Sequence, residues 1–141
     1  WVVNREGGTL ARLDPNDALV QESVDVEGEP VAVAFDGTSL WVALSGPNQV
    51  VQIDPESAVT QTRIDLGSAP AALWFDGQAL WAAAPEAGRV FRIDPTQAEI
   101  TQTISIEGYP VALTSAACGP DCQSLWTANQ SGDSVSRLAT E

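Results

Sequence analysis

Two stretches, LWVALSGPNQVVQIDP at residues 40–55 and LWAAAPEAGRVFRIDP at residues 80–95, superpose without a gap. The same frame fits WVVNREGGTLARLDP at residues 1–15. Trp1, Trp41 and Trp81 recur at intervals of 40, and Trp126 follows after 45, the five added residues lying around Cys118 to Cys122. A fixed period of this length is the mark of a repeat architecture.

The agreement reaches beyond tryptophan. Leu13-Asp14-Pro15, Ile53-Asp54-Pro55 and Ile93-Asp94-Pro95 share one place in the unit, and Pro30, Pro70 and Pro110 another. Phe35-Asp36-Gly37 and Phe75-Asp76-Gly77 match, and Leu40, Leu80 and Leu125 each precede a tryptophan. In the unit opening at Pro70, four short apolar runs are expected as strands: Ala71 to Phe75, Leu80 to Ala84, Val90 to Ile93 and Ile100 to Ile106. Each is rich in strand-forming residues and bounded by Gly, Pro, Asp or Asn, which leaves no room for a helix of ordinary length. The Asp-Gly pairs suit tight hairpins, because Gly takes positive φ freely and Asp tolerates it.

A four-stranded meander that is apolar on both faces, as Leu-Trp-Val-Ala at 40–43 shows, needs a sheet on each side. Radial stacking around an axis supplies both. The expected fold is therefore all-β: a β-propeller segment of about three and a half four-stranded antiparallel blades, part of a six- or seven-bladed ring. The whole of 1–141 is one segment, divided into a partial blade at 1–29, blades at 30–69 and 70–109, and a partial blade at 110–141. Three strands, four, four and three make 14, an open arc. Because Trp1 falls inside a repeat unit, the natural start and any export signal are expected outside this sequence.

Composition fits a folded protein, with 44% hydrophobic and 18% charged residues. No apolar run approaches the roughly 18 residues that a membrane-spanning helix needs. The formal charge of −13 repels phosphate backbones and anionic headgroups, so neither nucleic acid nor membrane insertion is expected. There is no His, which excludes His-based metal sites and Ser-His-Asp or Cys-His catalysis within this sequence. No metal and no cofactor is indicated.

The pattern Leu-Trp-Val-Ala, a Gly or Asn turn, Val-x-x-Ile-Asp-Pro, a Thr-x-x-Ile-x-Leu strand and then x-Pro-x-Ala resembles the YVTN and NHL-type bacterial propeller repeats. Virginiamycin B lyase-like and lactonase-like propellers share it. The resemblance covers nearly the whole chain and implies a strand order from innermost A to outermost D, the chain opening on strand B and ending on strand C. For the lyases it implies a histidine base, a glutamate and magnesium. No position here can supply that histidine.

Two functional readings follow: a non-catalytic ligand-binding, protein-binding or sensor module of an extracytoplasmic protein, or part of a propeller enzyme whose catalytic residues lie in other blades. In either, the remaining blades of the propeller are expected partners. The Asp-Pro carboxylates are expected to cap turns rather than to form a ring of ligands. The recurrent tryptophans are expected in the joints between blades. Trp74, standing where Ala34 and Ser115 are read in other blades, is open to core packing or to the central channel. Cys118 and Cys122 flank Gly-Pro-Asp and are read as a hairpin-closing disulfide, which favours an oxidising compartment. The ligand is expected on the face carrying the D-to-A and B-to-C loops, where the repeats differ most. The candidate residues there are Glu29 and Tyr109 before the prolines, and Asn4, Arg5, Asn48, Glu86 and Asn129 after strand B, with Trp74 beside them.

Overall fold

The computed structural model describes the backbone of residues 1–119 and 122–139 and the side chains of residues 1–116 and 124–138. These residues form strands and turns with no helix. Four antiparallel meanders follow one another along the chain. The first contains β1 (Val2–Asn4), β2 (Thr9–Leu13) and β3 (Val20–Asp25), and the second β4 (Pro30–Phe35), β5 (Leu40–Leu44), β6 (Gln49–Ile53) and β7 (Thr60–Asp65). The third contains β8 (Ala72–Phe75), β9 (Leu80–Ala84), β10 (Arg89–Asp94) and β11 (Glu99–Ser105). The fourth has β12 (Pro110–Gly119), β13 (Cys122–Asn129) and β14 (Ser134–Ala139). The chain is a partial β-propeller, opening on a B strand and closing on a C strand.

Side chains alternate across each pleat, so every central strand feeds two joints. Leu40, Val42 and Leu44 of β5 pack back on Leu10 and Val26. From the same strand Trp41 and Ala43 pack forward, against Leu73, Leu80, Ala82 and Phe91. Trp81 and Ala83 repeat the forward role against Leu125 and Leu138. All five residues of β5 and of β9 are therefore buried, which explains why these strands read as unbroken apolar runs.

The hairpin joining the first two strands of a full sheet is held by its aspartate, in a way the sequence reading did not foresee. Gly37 and Gly77 take the positive φ, at 99° and 98°. Asp36 acts through its carboxylate: Oδ1 accepts the amides of Thr38 at 2.8 Å and Ser39 at 2.7 Å, and Oδ2 accepts the Trp41 indole N–H at 2.7 Å. Asp76 repeats all three bonds. The turn is thereby tied to the tryptophan that fills the next joint.

At the other hairpin of the same end of the sheet the Asp-Pro residues cap turns, as expected. Asp54 Oδ1 accepts the amides of Glu56 at 2.8 Å and Ser57 at 2.9 Å, and these bonds hold its carboxyl below the usual carboxylate range. The turn closes through Ala18, Ala58 or Ala98, each left-handed at φ 59°, 57° and 53°. Alanine at such an angle stores strain on the order of 1 kcal/mol, a feature with no turn signature in the sequence.

The register corrects one reading. Trp74 lies opposite Trp81, Ala34 opposite Trp41, and Thr114 opposite Trp126. Thr114, not Ser115, is thus the counterpart of Trp74. The longer hairpin of the fourth sheet had blurred the count. Backbone pairing there runs on to Gly119 opposite Cys122, but the side chains of Cys118 and Cys122, and with them the disulfide reading, lie outside the described residues.

Candidate functional site

In a meander the B-to-C turns and the D-to-A loops emerge at one end of the sheets, and hydrogen bonds tie them together there. Gly8, Asn48 and Gly88 take left-handed φ of 62°, 61° and 57° in successive B-to-C turns. Their carbonyls accept the amides of Val26, Leu66 and Ile106 from the loop that follows. The same loops are tied to the sheet they enter, where the Ser45 amide donates to the Glu29 carbonyl and the Gln130 amide to the Tyr109 carbonyl, both at 2.9 Å. The loops are therefore anchored on both sides.

These anchors bring three of the candidate residues to one hollow of about 440 Å³. Its floor is made by Val3, Val31, Ala71 and Val111 from strands of four sheets or their immediate starts, and its wall by Pro30, Pro70 and Pro85. Arg5, Ser45, Glu86 and Tyr109 supply the polar rim. Glu29 stands beside it. Its Oε2 accepts from Arg5 Nη2 at 3.0 Å and from Ser45 Oγ at 3.2 Å, so one carboxylate joins the first and second sheets. A second hollow, of about 550 Å³, lies against Arg5, Glu6, Gly8, Gly28 and Glu29, which places the Arg5–Glu29 pair between the two.

Hydrogen bonds from Arg5 and Ser45, and then the Arg5 charge, lower the Glu29 carboxyl below the usual 4.5. A carboxyl depressed in the folded state adds stability above its unfolded value, and that contribution is lost as pH falls through the folded value. Both groups are more than half exposed, so the stability change is small. The titration itself is the better readout. In an NMR titration the Glu29 carboxyl of the native chain is expected to show its midpoint below 4.5, and Arg5→Ala to move that midpoint upward. An unchanged midpoint in Arg5→Ala would remove the ion pair from the account.

The other candidates serve the framework. Asn4 Oδ1 accepts the Gly7 amide at 3.1 Å and closes the first turn. Asn48 occupies the left-handed position that glycine fills in the first and third sheets. Asn129 is buried, donating from Nδ2 to Ser134 Oγ at 3.2 Å and Ser136 Oγ at 2.8 Å and accepting from Thr127 Oγ1 at 2.9 Å. Trp74 packs into the joint between the third and fourth sheets, its indole N–H donating to Ser115 Oγ at 3.0 Å. Reasoning from sequence missed the floor of the hollow. The position after each repeat proline, at Val31, Ala71 and Val111, was the available signal.

Among the described residues no three His, Cys, Asp or Glu side chains gather as metal ligands would. No helix there is long and apolar enough to cross a membrane.

No family model matches the chain, and no curated protein matches it. Solved structures do. Hydrazine synthase of Kuenenia stuttgartiensis aligns with TM-score 0.81 at 22% identity, over 96% of this chain and 41% of that one. A chain of the mitotic checkpoint complex aligns with TM-score 0.82 at 13% identity, over 99% of this chain and 45% of that one. The computationally designed Ika4 protein aligns with TM-score 0.75 at 14% identity, over 94% of this chain and 79% of that one. The chain thus spans less than half the length of the first two. At these identities the likeness shows the β-propeller fold alone.

Proposed function

We propose that the chain is a non-catalytic binding or sensor module of an extracytoplasmic bacterial protein, taking a small molecule or a protein segment at the hollow rimmed by Arg5, Ser45, Glu86 and Tyr109. One observation carries the reading. Three loop residues that differ between repeats, Arg5, Glu86 and Tyr109, converge from different sheets on a concave hollow with an apolar floor and a few polar groups, which is how ligand sites are built. The acidic composition and the Cys118–Cys122 pair support the extracytoplasmic setting. The repeat residues support kinship with YVTN and NHL-type propellers. Proteins on this fold differ widely in activity, so the site carries the argument and the fold does not.

The test is ligand-observed NMR with a panel of small aromatic amines, aromatic acids and neutral aromatics. Binders are expected to weaken at least about tenfold in Tyr109→Ala, which removes the one aromatic anchor of the rim. They are expected to hold their affinity in Thr96→Ala, in a turn at the opposite end of the sheets. Equal binding to both variants, or none to the native chain, would sink the proposal.

A further inference from the structure

The places around the hollow are filled differently from sheet to sheet. Arg5, Ser45 and Pro85 share one place in the repeat, and Glu29, Ala69 and Tyr109 another. Where the first and second sheets meet, the two places are polar and satisfy each other: Glu29 Oε2 accepts from Arg5 Nη2 at 3.0 Å and from Ser45 Oγ at 3.2 Å. Among the described residues Arg5 is the only basic one on the lining, so its charge is already cancelled by a carboxylate of the chain itself. An anion entering the hollow would have to displace Glu29 from it.

The third and fourth sheets are arranged otherwise. In the third sheet Pro85 and Ala69 hold the places of Arg5 and Glu29 and offer no side-chain donor or acceptor. Glu86 and Tyr109 stand on the rim, and among the described residues neither the Glu86 carboxylate nor the Tyr109 hydroxyl has a hydrogen-bond or ion-pair partner. Both are positioned by backbone bonds. The Gly88 amide donates to the Pro85 carbonyl at 2.9 Å and closes the turn that carries Glu86, and the Tyr109 carbonyl accepts the Gln130 amide at 2.9 Å. With the Arg5–Glu29 pair neutral, the hollow has one negative charge, one half-buried aromatic ring and an apolar floor.

We propose, resting on the reading of this hollow as a ligand site, that its ligand is an organic cation: an ammonium group on a compact apolar body. Glu86 is the counter-ion, the Tyr109 ring stands beside the charge, and Val31, Ala71 and Val111 lie under the body. The face of an aromatic ring attracts a cation through its quadrupole, and a carboxylate adds a direct charge attraction. Glu86 is exposed, so the ammonium keeps part of its hydration and does not meet the full cost of burying a charge. The body loses apolar surface to the floor, in a volume of about 440 Å³ that lies within the range of small-molecule sites. The formal charge of −13 adds a field that draws cations toward the chain and turns anions away.

Three probes of similar size separate the charge from the apolar body: phenethylamine, 2-phenylethanol and phenylacetate, titrated against this chain by ligand-observed NMR at physiological salt. Phenethylamine is expected to bind at least about fivefold tighter than 2-phenylethanol, the combined effect of one exposed ion pair and one cation–π contact. Phenylacetate is expected to bind weakest. Glu86→Gln, which keeps the shape of the side chain and removes its charge, is expected to bring the amine close to the alcohol, and continued binding of the alcohol shows that this variant folds. Arg5→Ala, which frees Glu29 to act as a second carboxylate, is expected to tighten the amine. An amine that binds no better than the alcohol or the acid overturns the inference while leaving the hollow a binding site. An amine preference that survives Glu86→Gln also overturns it, because the preference would then come from the overall charge of the chain. Binding of all three probes that is untouched by Tyr109→Ala, or no binding at all, overturns both the inference and the reading it rests on.

Discussion

Trp81→Ala is expected to destabilise the chain by about 3–5 kcal/mol, the cost of emptying a large aromatic site in a packed core. Trp81 is fully buried between the third and fourth sheets, lies opposite Trp74, and has Arg92 over its ring at 5.8 Å. The void left behind would open on Leu125 and Leu138, the residues that hold the fourth sheet in place. Domains of ordinary stability hold about 5–15 kcal/mol in total, so the variant would stand close to unfolding. Trp126 occupies the same place in the fourth sheet but is only half-buried. Trp126→Ala is therefore expected to cost this chain less than half as much, measured by urea denaturation. Equal losses would mean that the tryptophans do not draw their stability from the joints.

The fold was legible because the residues that make the turns recur with the period. Asp36 and Asp76, Asp54 and Asp94, and the three prolines are local devices whose chemistry acts within a few residues, so their spacing translates directly into strand ends. Ala18, Ala58 and Ala98 were not legible. They hold a left-handed angle imposed by the turn around them, and alanine carries no preference that would announce it. The partner of Trp74 was misread for another reason: an insertion near Cys118 leaves the count ambiguous, and only hydrogen-bond register selects Thr114.

The hollow was legible at the level of loops and less so at the level of side chains. Variation between repeats pointed to the end of the sheets where Arg5, Glu86 and Tyr109 line one hollow. Asn4, Asn48 and Asn129 vary for a different reason. Asparagine can satisfy backbone or buried polar groups locally and tolerates left-handed φ, so it collects at turns whether or not a ligand is present. The side-chain polarity of Asn4 and Asn129 is used within the protein, as the bonds to Gly7, Ser134 and Ser136 show, and Asn48 supplies the left-handed angle. Conversely, Val31, Ala71 and Val111 carry no polar signal and still form the floor.

Asp76→Ala is expected to cost about 2–4 kcal/mol, a large loss for a residue at the edge of a hairpin. Two contributions add. The amides of Gln78 and Ala79 lose the acceptor that fixes the turn, which by analogy with a helix cap is worth about 0.5–2 kcal/mol. The indole N–H of Trp81 is left without a partner inside a closed joint, a desolvation cost of about 1–3 kcal/mol. Asp76→Asn separates the two. Its amide oxygen can still receive the turn amides, but its NH₂ then faces the indole N–H, donor against donor, so the turn is kept and the tryptophan bond is lost. The expected order of urea midpoints is native, Asp76→Asn, Asp76→Ala. If Asp76→Asn matched the native chain, the bond to Trp81 would contribute nothing, and the tie between hairpin and joint would have to be abandoned.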